Sequence, residues 1–219
     1  MIHAGDRLEN PVTGEVLVFH RTSEETDGES VLLETIVRAH GFVAAAHVHP
    51  HQTERFEVLE GLLGLRVGDK ELVARPGDGV VVAPGTPHRF WNAGEDEARF
   101  LCEVRPALKF ESLIETMFTL AAEGKTNRKG MPNPLRLAVI AKAHFDTVRL
   151  PFPPAVLQRA ALAVGAPLGE MLGYRATTNR RPPLADDARR HSPPTRTYDR
   201  GRPHDPASAA LEGARADRV

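Results

Sequence analysis

The chain has 219 residues, 41% hydrophobic content and a formal net charge of −1. That length suits one domain, or one domain with an appendage, and the balanced charge gives no overall reason to expect nucleic acid as a partner. A single cysteine, Cys102, excludes an intrachain disulfide framework and fits a reducing compartment. Met1 to Arg7 lacks the basic start and apolar run of a signal peptide. No run of about 18 uncharged apolar residues reads as a membrane span, so the expected location is cytoplasmic.

From about Gly5 to Pro106 the chain alternates short β-type runs with turn residues. Val16 to Phe19, Val31 to Ala39, Arg55 to Leu59, Leu62 to Val67, Val80 to Ala83 and Ala98 to Val104 all read as strands. Turn signals separate them at Asn10-Pro11, Asp27-Gly28, Gly68-Asp69, Pro76-Gly77, Pro84-Gly85 and Ala93-Gly94. Many short strands without helical periods between them predict an antiparallel sandwich or barrel.

The period then changes. Phe110, Leu113, Ile114, Met117, Phe118 and Ala121 form one helical stripe, which Gly124 can end. Pro132-Asn133-Pro134 breaks the chain before a second helical run from about Leu135 to Val148. Pro151, Pro153 and Pro154 precede a third, Ala155 to Tyr174. These stripes are expected to pack against the barrel, against one another or in a homodimer.

Arg175 to Val219 holds ten Arg and six Asp or Glu, many prolines and almost no large apolar residues. Such a composition cannot offset the entropy of ordering a chain, and it predicts disorder. The expected organisation is therefore a β-barrel over 1–106, a helical appendage over 107–175 and an Arg/Pro-rich tail over 176–219.

The chemistry concentrates in Ala46-His47-Val48-His49-Pro50-His51-Gln52-Thr53-Glu54. Residues two apart on a strand share a face, so His47 and His49 point the same way. With the Glu54 carboxylate they make a partial shell for a first-row divalent metal. His88 follows the Pro84-Gly85 turn at the start of a strand, where a side chain can be aimed into a barrel lumen.

Here the chain resembles the cupins. Their first motif, G(X)5HXH(X)3–4E(X)6G, is met by Gly41, His47, His49, Glu54 and Gly61. Their second, G(X)5PXG(X)2H(X)3N, is met by Gly77, Gly85, His88 and Asn92, with Ala83 where proline is usual. The resemblance covers about Gly5 to Pro106 and suits the compact bacterial, quercetin-dioxygenase-like type. It implies a jelly-roll (double-stranded β-helix) barrel followed by about three C-terminal helices. It also implies one metal ion in the lumen on His47, His49, Glu54 and His88. Three imidazoles and a carboxylate accept Fe(II), Mn(II), Ni(II), Cu(II) or Zn(II).

Alternation along β-structure turns Glu54, Phe56 and Val58 inward, with His88 and Phe90, so the expected pocket has a metal floor and apolar walls. His51 shares the parity of His47 and His49 and is a candidate for the pocket rim. Trp91 points opposite to His88 and is expected to pack outside the barrel, with the space beneath the helices as one place for it. Arg99 and Glu103 share a face, either as a cross-barrel pair or as solvent-facing charges. The resemblance implies a metal-dependent enzyme acting on a small aromatic or hydroxylated molecule. Dioxygenase chemistry leads, cyclase or isomerase chemistry follows, and Glu54 serves as ligand and catalytic proton acceptor. The alternative is a non-catalytic module that binds or senses a small molecule such as a sugar.

Overall fold

A computed structural model describes residues 2–43 and 45–177. The expected disordered tail lies almost wholly outside the described residues. Among the described residues the chain forms strands β1 (Arg7–Asn10), β2 (Glu15–Arg21), β3 (Val31–Val37), β4 (Thr53–Glu60), β5 (Leu63–Val67), β6 (Lys70–Ala74), β7 (Gly79–Val82), β8 (His88–Asn92) and β9 (Ala98–Arg105). Helices α1 (Phe110–Ala122), α2 (Pro134–Ala143) and α3 (Ala155–Met171) follow. One sheet runs β1-β2-β3-β9-β4-β7 and a smaller one β6-β5-β8, with antiparallel pairing throughout. This is the jelly-roll core with C-terminal helices that the two motifs imply.

Two strands escape a reading by hydrophobic pattern, β1 and β6. Each pairs with one neighbour only and so lies at a sheet edge. Arg7-Leu8-Glu9-Asn10 is correspondingly polar and Lys70-Glu71-Leu72-Val73-Ala74 opens with two charges, as edges that must resist further pairing tend to do.

The core lies between the sheets. Phe56 on β4, Phe90 on β8 and Phe100 on β9 meet with ring centroids 5.4–6.1 Å apart. Phe19, Leu33, Val58, Leu63 and Leu65 fill the space around them. Each such buried side chain stabilises the fold by about 1.5–3 kcal/mol relative to exposure. Trp91 lies outside this core. Its indole covers Gly64 on β5, where any Cβ would fall 2.3 Å from the ring, and the Arg89 guanidinium stacks on it at 5.3 Å.

The outer face of the larger sheet carries an ion network, which decides the role of Arg99 and Glu103. Arg99 donates to Glu34 Oε1 from Nε and Nη2 (3.0 and 2.6 Å) and to Glu60 from Nη1 (2.7 Å). Glu103 pairs with Arg21 at 2.9 Å and with Arg105 at 3.1 Å. They belong to two adjoining clusters rather than to one pair across the lumen.

Pro132-Asn133-Pro134 turns out to start α2 as well as to break the chain. The Asn133 side chain accepts from the N–H groups of Leu135 and Arg136, and Pro134 takes the first helical position. Helix α3 lies close on α2 through small residues. A Cβ at Gly169 would meet the Leu135 carbonyl at 2.5 Å. Helix α1 buries Phe110, Leu113, Phe118 and Leu120 within its own chain, so the stripe suggested as a homodimer seam is already occupied. Among the described residues no helix is long and apolar enough to cross a membrane.

The Glu34 carboxyl is held at about 2, below its ordinary 4.5, by the hydrogen bond from His20, with burial opposing and Arg99 assisting. A folded-state value below the unfolded one contributes stability at neutral pH and loses it as pH falls through that interval. Glu34→Gln is therefore expected to cost about 1–2 kcal/mol at pH 7 in urea unfolding. The gap to wild type should close between pH 4.5 and about 2. A gap independent of pH would show that the charge of this carboxylate contributes nothing.

Candidate metal centre

Three chain segments meet at one end of the barrel. Glu54 is the second residue of β4 in the larger sheet, and His88 opens β8 in the smaller one. The stretch carrying His47 and His49 is clamped to both the strand and the turn before it. His47 and His88 exchange backbone hydrogen bonds of 3.0 and 2.9 Å, and Gly85 N–H donates to the His49 carbonyl at 2.8 Å. Gly85 takes φ +80°, a left-handed conformation that lets the Pro84-Gly85 turn deliver His88 inward. One ligand atom from each of His47, His49, Glu54 and His88 lies within 4.8 Å of the others.

The backbone also sets which nitrogen each imidazole offers. His47 Nδ1 lies 2.9 Å from the Ala45 carbonyl, His88 Nδ1 2.9 Å from that of Thr86, and His49 Nδ1 2.6 Å from that of Thr147. A carbonyl only accepts, so each Nδ1 carries the proton and each Nε2 presents a lone pair to the centre. His49 Nδ1 also meets Gln52 Oε1 at 2.9 Å. Gln52 is held in turn by donating to the carbonyls of Pro106 and Ala107.

The donor atoms themselves are bare. His88 Nε2 and Glu54 Oε2 approach to 2.6 Å without hydrogen-bond alignment. Those two atoms and His49 Nε2 are buried with no hydrogen-bond partner. Such groups are costly to leave unmet, and a divalent cation meets all of them at once. Burial, then repulsion from His88 and His49, holds His47 at about 3 and therefore neutral. Burial opposes the charge of Glu54, but the three histidines outweigh it and keep the carboxyl at about 2, ionised. Burial likewise opposes the charge of His88, and Glu54 outweighs it, raising that imidazole. Nitrogen lone pairs with one carboxylate are the donor set that first-row divalent ions take. The residues fit a metal.

A cavity of about 420 Å³ runs from this cluster through the lumen and out beneath the helices. Its walls are mostly apolar. Phe90 lines it, whereas Phe56 and Val58 face inward but are packed into the core, and exposed His51 lies outside it. Inward parity therefore does not guarantee a place on the cavity wall. The parity of His51 also fails, because Pro50 and His51 form a bend and β4 begins only at Thr53.

Three contributors were not anticipated. Gln52, buried next to His51, supports His49. The appendage does more than pack, since Ile114 and Met117 of α1 roof the cavity and Thr147 supports His49. Glu15 on β2 lines the cavity as well. Its signal was available, because it shares the inward parity of Leu17 and Phe19.

Supports of this kind are worth about 10–100-fold in metal affinity. Gln52→Leu, which leaves Thr147 in place, is expected to weaken Ni(II) or Zn(II) binding about tenfold. Competition against a chromophoric chelator measures this. Unchanged affinity would show that Thr147 alone orients His49.

Residues 33–104 match the family described as a cupin domain. Oxidoreductase OpS7 of Beauveria bassiana is 56% identical over 45 residues, 20% of this chain and 15% of its own length. An oxidoreductase of Arthrobotrys oligospora is 32% identical over 95 residues, 38% of each chain. The chain thus spans well under half the length of these curated relatives. A structure of a predicted oxalate decarboxylase from Thermotoga maritima is similar at 17% identity and a TM-score of 0.43, covering 48% of this chain and 98% of that one. With the family match spanning both motifs and a His/His/Glu/His cluster inside the barrel, residues 33–104 form a cupin domain.

Proposed function

We propose that this chain is a metal-dependent oxidoreductase acting on a small aromatic or hydroxylated molecule, with dioxygenation as the reaction type. One observation carries the reading. Buried donor atoms without partners stand at the end of a largely apolar cavity, where a metal and an organic substrate would meet. The oxidoreductase names of the relatives support it, over short matched segments.

A divalent metal bound by His47, His49, Glu54 and His88 supplies Lewis acidity and, as Fe(II), redox chemistry toward dioxygen. The chain's own residues do the rest. The carbonyls behind the three histidines hold the rings in one tautomer. Phe90, edge-on to Phe100 at 5.4 Å, offers a firm apolar wall for a ring. Glu54 Oε2 is the carboxylate atom to which the proton of a substrate hydroxyl passes. Ile114 and Met117 limit the access of water from above.

The test is oxygen consumption by the Fe(II)-loaded protein against a panel of flavonols and catechols. The expected outcome is substrate-dependent uptake that falls more than about 100-fold in His88→Ala, which removes a ligand outright. Saturable binding of the same compounds without oxygen consumption would sink the enzyme and favour a module that binds or senses small molecules.

A further inference from the structure

The metal cluster is not the only polar place in the cavity. Glu15 opens β2, is 6% exposed and lines the same cavity as His47, His49 and Glu54. Its Oε2 accepts from Thr13 Oγ1 at 2.7 Å. Among the described residues no donor reaches its Oε1, and no basic side chain forms an ion pair with it.

The local fold does not need this carboxyl. Asn10 already shapes the β1–β2 turn, with Oδ1 accepting from the N–H groups of Val12 and Thr13 and its carbonyl from Gly14. A buried carboxyl with one neutral donor and no cation is unfavourable, and burial pushes it up to about 7, with Thr13 opposing. A carboxyl so placed presents an O–H as readily as an acceptor.

Strand register gives the separation of the two polar places. Glu54 lies level with Val104, and Val104 with Val31, whereas Glu15 lies level with Val37. From Val31 to Val37 is six residues along β3, about 20 Å of strand at about 3.3 Å per residue. Leu17, Leu33 and Phe100 line the cavity between. It is a largely apolar passage, with Thr35 and Asn10 beside Glu15 toward one end and the histidine cluster at the other.

We propose that Glu15 is a substrate-positioning residue, hydrogen-bonding a hydroxyl or carbonyl at the far end of an elongated apolar molecule whose near end reaches the His47, His49, Glu54 and His88 cluster. This deepens the function proposed above and rests on the cavity being the substrate site.

The test titrates Ni(II)-loaded protein calorimetrically with n-alkyl hydroxamic acids and their ω-hydroxy counterparts over a graded series of chain lengths. The hydroxamate serves as the metal-binding end. At one length the ω-hydroxy compound is expected to bind about tenfold tighter than its methyl-terminated twin. Glu15→Leu should abolish that preference without weakening the methyl-terminated compound. Glu15→Gln, which still donates and accepts, should keep it. An equal ratio in wild type and Glu15→Leu at every length overturns the proposal.

Failure of every hydroxamate to bind would instead count against the metal reading. The Glu15 assignment is then decided on metal-free protein by infrared difference spectroscopy with 1-alkanols. A carboxylic-acid carbonyl band that shifts on alkanol addition, and is missing in Glu15→Gln, supports it. A band that stays fixed at saturation overturns it. Thermal unfolding of both variants checks that they fold.

Discussion

Three carbonyl oxygens, those of Ala45, Thr86 and Thr147, govern what the imidazoles at the barrel end can do. By taking the Nδ1 protons they leave three Nε2 lone pairs facing one point, beside a carboxylate with an unmet oxygen. Reversing one ring would bring an N–H toward a cation instead of a lone pair. The chemistry available to the cavity thus depends on backbone geometry as much as on the four side chains. The tight pairing of His47 with His88 and the Gly85 contact to His49 give that backbone little freedom to drift.

The sequence disclosed the metal cluster because its information is local. Two histidines on one strand face, a carboxylate five residues on and a Pro-Gly turn before the last histidine all have fixed geometric meanings. The central strands were equally plain, since their inner faces repeat every second residue. Edge strands β1 and β6 were not, because an edge has no need of an apolar pattern on both sides. Gln52 and His51 show where local rules stop. Alternation carries across a strand but not across the bend at Pro50, so the neighbour of the expected histidine became the buried one.

Thr147 and Glu15 were hidden for different reasons. Thr147 acts through its main-chain oxygen, which no side-chain pattern can reveal, and it comes from 98 residues beyond His49. Glu15 was visible as a charge at an inward strand position, a local conflict of the kind that often marks function. Phe56 and Val58 teach the converse. They point inward as alternation requires, yet a tier of aromatic rings fills the space before any ligand could, so the open part of the lumen is set by packing across sheets.

The Thr147 contact has a consequence for how the chain can be divided. An excised barrel ending near Pro106 would keep all four metal-binding side chains, but it would lose one ring's hydrogen-bond acceptor, the roof over the lumen and the carbonyl of Ala107 that helps tether Gln52. An ion held at the four side chains would be linked to helix docking through His49, and such linkage is reciprocal. Barrel and appendage thus share the contacts that steady His49 and Gln52, and a cut near Pro106 would sever them.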